Sequence, residues 1–492
     1  NSVIYLETVS PDGSSFVYLK NDNYHIYELA TGKDTNVTQN LGASFVNVNS
    51  DYPVEQKRPY GFVGWDKTGS YFLLNSQFDI WKVDTKTGKA TRLTNGKSSK
   101  IVHRYVNLDR SNRYVDIGRD FYIRKFGEWS KKSGYAKLIK EKAVQDIIWG
   151  DTSVSRLTVS KNKNATAFTT EKYGDSPDFF VSQKGSPSLK QVSKTNPFEG
   201  QFKTGKAELV EYVNANGKKL QGILYYPDDY VSGKKYPMIT YIYERLSNGF
   251  HRYEIPSKTN YYSTRIFTSK GYFVFKPDIV FDPGDPGVSS TKTLELAVKT
   301  VVNKGDVDEK RVGLVGHSWG GYQTAFAVTR TKIFAAAVAG AGISNLVTMY
   351  GTLTPAFGNT FESGHMEISQ ERMRVPPWED IDGYLRNSAI PNIKNMQTPL
   401  LMEVGDADTN VNWGQGIQMY VAARRAKKEM VLLVYAKEGH GLRQRKNQID
   451  YQKRILEWFG HYLKKDEPKR WVKEKISYPE QQKLLKERKL EE

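Results

Sequence analysis

Residues 311–321 read Arg-Val-Gly-Leu-Val-Gly-His-Ser-Trp-Gly-Gly, and the reading of this stretch decides the fold. Residues 311–315 form an apolar run of strand length, and the alanine-rich residues 323–328 that follow have helical character. Gly316-His317-Ser318-Trp319-Gly320 is therefore a G-x-S-x-G sequence set between a strand and a helix. In that setting the turn is so tight that the serine sits strained at its tip. The flanking glycines remove side chains that would collide with the strand and the helix. Ser318 is the candidate nucleophile.

Working outward, further apolar runs of strand length lie at 236–243, 272–276, 400–404 and 431–435, with the continuous apolar character of buried parallel strands. Between them, 293–302 and 413–426 show helical spacing, which makes βαβ units and a mostly parallel sheet covered on both faces. An opening hairpin, 208–213 with 218–226 around Asn214-Ala215-Asn216-Gly217, precedes this block, and a closing helix covers about 449–463. The turn-rich Asp282-Pro283-Gly284-Asp285-Pro286-Gly287 reads as a crossover loop, with a wall of the site as the alternative. The block 201–465 is thus expected to be an α/β-hydrolase catalytic domain. In that fold the nucleophile is followed by the acid and then the histidine, each on a loop after a later strand. The run 400–404 ends in Gly405-Asp406-Ala407-Asp408-Thr409-Asn410-Val411, so Asp406 and Asp408 both qualify as the acid. The run 431–435 leads into Glu438-Gly439-His440-Gly441, which makes His440 the candidate base.

Residues 1–200 have a different rhythm. Ser10-Pro11-Asp12-Gly13 precedes an apolar run at 16–19, and the run 25–29 ends at Thr31-Gly32. Asp66-Lys67-Thr68-Gly69 precedes 71–74, and 80–84 ends at Thr87-Gly88. Weaker copies start at Asp109-Arg110-Ser111-Asn112 and Lys161-Asn162-Lys163-Asn164. Units of roughly 40 to 50 residues built of short strands are the signature of propeller blades. Four units are fewer than the seven or eight that close a large propeller. Residues 1–200 are therefore expected to be its C-terminal blades, with an N-terminal propeller segment missing or supplied by a companion chain. Residues 466–492, rich in Lys and Glu, read as a charged C-terminal extension.

Composition narrows the chemistry. The 492 residues contain no cysteine, which excludes disulfides, thiolate catalysis and cysteine-rich zinc sites, so a nucleophile must be a hydroxyl, a carboxylate or an amine. The net charge of +18 is spread over scattered lysines and not gathered into a stripe with interleaved aromatics, the pattern of a solvated basic surface and not of a nucleic-acid partner. No apolar run reaches the roughly 18 to 20 residues of a membrane span. A chain that starts at Asn1 reads as processed or truncated. A periplasmic or secreted location is expected, with a cytoplasmic one as the alternative.

With these motifs in place, residues 235–442 resemble the catalytic domain of the prolyl oligopeptidase family, in its dipeptidyl-peptidase-like branch. That family carries its acid in G-x-x-D-x-N-V, which 405–411 reproduce, so the resemblance selects Asp408. It implies that Asn410 and Val411 face a bound oligopeptide. It also implies an oxyanion hole made by the Tyr243 hydroxyl, downstream of Lys235-Tyr236-Pro237, and by the backbone N–H of Trp319. In the segment 342–350, where relatives line their first specificity pocket with aromatic residues, only Tyr350 is aromatic, and Trp319 stands where dipeptidyl-peptidases commonly have tyrosine. Trp319 and Tyr350 are therefore expected in the substrate pocket. The glutamate pair with which dipeptidyl-peptidases hold a free amine has no identifiable counterpart. The implied activity is oligopeptide hydrolysis through a Ser318–His440–Asp408 acyl-enzyme, with no metal or organic cofactor required and with homodimerisation possible. A carboxylesterase using the same triad and a catalytically silent binding protein are the alternative readings.

Overall fold

A computed structural model describes residues 5–109, 111–118, 121–139, 143–183, 188–474 and 478–490. Asn1, Arg110 of the third repeat turn, and 475–477 and 491–492 of the C-terminal extension lie outside the described residues. The chain divides into two compact units, Asn1–Phe202 with Asn248–Tyr253, and Lys203–Ser247 with Glu254–Glu492. The sequence expectation had placed the division at 200/201 and had set 466–492 apart.

The first unit contains four four-stranded antiparallel sheets, spanning 5–36, 62–92, 101–150 and 153–191, each with its strands in sequential order. The repeated turns all join the first strand of a sheet to the second, so each repeat begins one strand earlier than the sequence pattern suggested. Their polar residues do the same work in each copy. Asp12, Asp66, Asp109 and Asn162 accept backbone N–H groups two residues on, from Ser14, Thr68, Ser111 and Asn164, the side-chain mimic of a backbone turn.

Period-2 alternation then buries both faces of a sheet. In 62–92, Phe72 and Leu74 join a cluster with Val17, Leu19 and Ile26 of the preceding sheet. Leu73 and Ile80 point the other way, to Ile123, Ala136 and Leu138 of the following one. Tyr135 continues the series to Val154 and Phe168 of the last sheet. A row of sheets stacked face to face in chain order is the architecture of propeller blades.

The second unit is built on one eight-stranded sheet. Its strands are β1 (Ala207–Val213), β2 (Lys219–Tyr225), β3 (Tyr236–Ile242), β4 (Phe273–Pro277), β5 (Val307–His317), β6 (Ala336–Gly340), β7 (Leu400–Gly405) and β8 (Met430–Tyr435), in spatial order 1-2-4-3-5-6-7-8. The pairs β1–β2 and β2–β4 are antiparallel and every later pair is parallel. This is an α/β-hydrolase sheet.

Helix α1 (Pro286–Val302) starts seven residues before the periodic stretch seen in sequence, because Pro286 occupies its first turn, where the missing N–H costs nothing. The loop read as a crossover thus ends inside a helix. Helices α2 (Trp319–Ala327), α3 (Gly414–Arg425) and α4 (Arg445–Lys464) complete the layers used below. Along β5, Val312 and Leu314 join the cluster that holds Leu294, Val298 and Val301 of α1. Gly313 between them leaves room on the opposite face for Phe459 and Leu463 of α4.

β6 was not anticipated. Its sequence, Ala-Ala-Val-Ala-Gly, has low strand propensity, but all five residues are buried and it pairs in parallel with β5 and β7. The C-terminal extension is partly anchored: Trp471 stacks on Trp458 of α4 at 6.2 Å and donates its indole N–H to Glu457 at 2.6 Å.

Candidate active site

Ser318 links β5 to α2 with φ +58° and ψ −119°, a left-handed backbone that a residue other than glycine keeps only when its surroundings impose it. Its N–H donates to the Gly340 carbonyl of β6 at 2.8 Å, and its own carbonyl accepts the Tyr322 N–H at 2.9 Å. The glycines are required by close approach. A Cβ on Gly316 would stand 2.2 Å from the Gly320 carbonyl oxygen, and one on Gly320 2.2 Å from that of Ile242 at the end of β3. The strained turn lifts the serine hydroxyl to the C-terminal edge of the sheet.

The loops after β7 and β8 end at the same edge. His440 Nε2 lies 2.8 Å from Ser318 Oγ, and His440 Nδ1 lies 2.9 Å from Asp408 Oδ2. The Asp408 side chain is almost fully enclosed. Its second oxygen accepts the N–H groups of Asn410 at 2.8 Å and Val411 at 3.0 Å, so the carboxylate is fixed by its own turn. Asp406 is engaged differently, accepting the Lys437 N–H at 2.6 Å and bracing the β7 loop against the β8 loop. The geometry thus pairs Asp408, and not Asp406, with His440.

These groups open on a cavity of about 300 Å³. Tyr243, Trp319, Asn410 and Val411 border it, as does His317. Tyr243 is held at both ends: its carbonyl accepts from the Gln323 amide at 2.6 Å, and its hydroxyl accepts from the Gln370 amide at 3.3 Å, which leaves the hydroxyl proton free to be donated. Trp319 is the first residue of α2, so its backbone N–H has no intrahelical acceptor.

Trp319 borders the cavity as expected, though mostly from below, and the expectation for Tyr350 needs correction. The Trp319 side chain is 2% exposed, stacked on Tyr322 at 4.4 Å and packed against Phe281 at 5.5 Å; it serves as a core residue beneath the site more than as a contact surface. Tyr350 does not border the cavity. It lies at the end of the helix Leu346–Tyr350, donates its hydroxyl to Glu367 at 2.8 Å, and packs edge-on against Trp378 and Tyr384.

The cavity wall also contains residues that sequence reasoning passed over: Phe357, Glu362, His365, Gln370 and Glu371. All come from the stretch 351–374, whose elements are short and whose sequence has no sustained period. Burial opposes charge on His365, but the carboxylates of Glu362 and Glu371 outweigh it and hold the imidazole at about 10. Burial raises Glu371 above the ordinary carboxyl range.

Beneath the triad two further buried groups border Gly340 of β6, His317 and Glu403. Burial, then the proximity of His440, pushes the His317 imidazole down to about 4, so it is neutral at pH 7. Burial, then the charge of Asp408, pushes the Glu403 carboxyl up to about 8, so it is mostly protonated at pH 7. Neither His317 Nδ1 nor Glu403 Oε2 has a hydrogen-bond partner among the described residues. A single histidine within the G-x-S-x-G motif was the only sequence signal for this layer.

Residues 284–466 match the model of the prolyl oligopeptidase family. These residues lie within the α/β unit and include Ser318, Asp408 and His440. Over 93% of its length the chain is 24% identical to dipeptidyl-peptidase 5 of Porphyromonas gingivalis, covering 59% of that protein. It is 26% identical over 37% of its length to the acylamino-acid-releasing enzyme of Mus musculus, covering 24% of that enzyme. The chain thus spans less than two thirds of the length of these relatives. Among solved structures, a putative dipeptidyl aminopeptidase IV from Bacteroides ovatus superposes with a TM-score of 0.65 at 17% identity, over 94% of this chain and 66% of that one. A puromycin-hydrolysing peptidase of Mycobacterium tuberculosis gives 0.67 at 15% identity, over 94% and 70%. These likenesses establish the fold, blades of a β-propeller followed by an α/β-hydrolase domain.

Proposed function

We propose that this chain is a serine peptidase that hydrolyses oligopeptides by acyl transfer through Ser318. One observation carries the reading: a continuous Asp408–His440–Ser318 array at 2.9 and 2.8 Å, opening on a cavity of about 300 Å³. The match of residues 284–466 to the prolyl oligopeptidase family and the peptidase names of the relatives support an amide over another acyl substrate.

The steps follow from the positions. His440 Nε2 takes the Ser318 proton as Oγ attacks the scissile carbonyl carbon, while Asp408 holds Nδ1–H and stabilises the imidazolium that forms. The Trp319 N–H and the Tyr243 hydroxyl donate to the carbonyl oxygen as it gains charge. The C–N bond breaks as His440 returns the proton to the leaving amine. Water, deprotonated by the same imidazole, then releases the acyl group and restores Ser318. A neutral His317 serves this cycle, because a second cation against His440 would oppose its protonation. Asn410 and Val411, on the loop that fixes Asp408, face the cavity as contacts for the peptide. The mechanism takes no metal ion. An exported location, periplasmic or secreted, is part of the proposal, and cell fractionation tests it.

The direct test is labelling by a fluorophosphonate, which reacts with activated serines. The wild-type chain is expected to take up one equivalent, at Ser318, and Ser318→Ala none. Labelling that persists in the variant overturns the assignment.

A further inference from the structure

We propose that Glu362, His365 and Glu371 form a divalent-cation site in the wall of the catalytic cavity, with Zn²⁺ the cation best suited to it. The inference is independent of the peptidase reading, since it rests on a separate cluster and is tested by binding.

The ligand set begins in the sequence. Glu362 and His365 are three residues apart on the helix Glu362–Ile368, so both project from one face, and Glu371 returns to that face from the following turn. One ligand atom from each of the three lies within 4.8 Å of the other two, the only such grouping of His and carboxylate ligands among the described residues. His365 Nδ1 stands 2.6 Å from Glu371 Oε2 and 3.2 Å from Glu362 Oε1. Ligands held at about 2.0–2.2 Å around one ion are separated by about 3 to 3.5 Å, so small shifts bring the three atoms into coordination.

Three further observations favour an ion over a self-contained salt bridge. First, Nδ1 and Glu371 Oε2 face each other at 2.6 Å without the alignment of a hydrogen bond, and neither has another hydrogen-bond partner among the described residues. A divalent cation entering here displaces the Nδ1 proton and takes both atoms as ligands. Glu371 is 2% exposed, and a carboxylate so buried requires a counter-charge. Second, Glu362 already has the outer contact that orients a metal ligand: its Oε2 accepts the Thr354 hydroxyl at 2.5 Å, which leaves Oε1 turned to the cluster. Third, all three residues border the cavity, and the His365 side chain is 36% exposed, so an ion has a path in and retains an open coordination position toward the cavity. One imidazole nitrogen and two carboxylate oxygens suit Zn²⁺ and its analogue Co²⁺ better than Mg²⁺ or Ca²⁺, which prefer all-oxygen sites.

The test titrates chelator-treated full chain with Co²⁺, read by its visible absorption, and with Zn²⁺ by calorimetry. The triad imidazole is a rival ligand, so His440→Ala is titrated in parallel. One equivalent is expected to bind the wild type and His440→Ala alike, with affinity reduced at least about 10-fold in Glu371→Gln and in Glu362→Gln. Circular dichroism establishes that each variant is folded, and the two glutamate variants back each other if one is not. Binding that disappears in His440→Ala, binding unaffected in both glutamate variants, or no binding by the wild type at millimolar Co²⁺ each overturns the site.

Discussion

Replacing Glu403 by Gln should stabilise the protein, and should do so more as the pH rises. The side chain is 1% exposed beneath Asp408, and its carboxyl titrates at about 8 in place of the ordinary 4.5. Between those two values the folded chain keeps the proton that the unfolded chain has released. The native state therefore binds more protons than the unfolded state, and stability falls as pH rises through that window. Each pH unit removes about 1.4 kcal/mol, so the wild type has lost on the order of 3 to 5 kcal/mol by pH 8.5. Glutamine reproduces the neutral carboxyl in shape and carries no such slope. At pH 5 the variant should exceed the wild type by less than about 1 kcal/mol. At pH 8.5 its Tm should be higher by about 6–10 °C, taking about 2 °C per kcal/mol for a unit of this size. Calorimetric scans of both proteins from pH 5 to 9 measure the difference, in which titrations common to both cancel. A constant Tm gap across that range, or a variant less stable at pH 8.5, refutes the argument that Glu403 is a buried carboxyl kept neutral.

Other outcomes follow from the site. Asp408→Asn should lower kcat by about 10⁴-fold by favouring the wrong His440 tautomer, whereas Asp406→Asn, whose amide oxygen still accepts the Lys437 N–H, should keep most activity. Steady-state kinetics on one peptide distinguishes the two, and equal losses would mean the loop is misassigned. Tyr243→Phe should lower kcat by about 100- to 1,000-fold with KM little changed, as for loss of an oxyanion donor; a pure KM effect would assign Tyr243 to substrate binding alone. Gly320→Ala places a methyl group 2.2 Å from the Ile242 carbonyl and should abolish fluorophosphonate labelling while leaving circular dichroism near that of the wild type. Unimpaired labelling would show that the elbow is looser than described.

What was legible in the sequence is what local chemistry specifies. The elbow around Ser318 announces itself because its glycines, its strand and its helix are contiguous. His440 follows from chain order, and the choice of Asp408 required a family pattern, since two aspartates within three residues of a strand end are equivalent until the fold shows which one meets the imidazole. β6 was missed because alanine and glycine carry no strand signal, and only burial between β5 and β7 makes them one. Tyr350 was misassigned because aromatic character says nothing of direction; its hydroxyl found Glu367 and its ring Trp378. The cluster of Glu362, His365 and Glu371, and the pair His317 and Glu403, are products of tertiary packing. Nothing in 351–374 or in the interior of β7 marks Glu362, His365, Glu371 or Glu403 until the chain brings them to the cavity and the sheet edge.

The central claim, that Ser318 is the nucleophile of an amide-cleaving enzyme, is tested most directly by comparing kcat/KM for a short peptide amide and its matched ester in the wild type and in Ser318→Ala. Amide hydrolysis depends on a well-placed His440 to protonate the leaving amine, whereas an activated ester does not. The account predicts cleavage of both substrates by the wild type across a varied peptide library and loss of both in Ser318→Ala. Ester cleavage with no amide cleavage anywhere in that library, or amide cleavage that survives in Ser318→Ala, would contradict it.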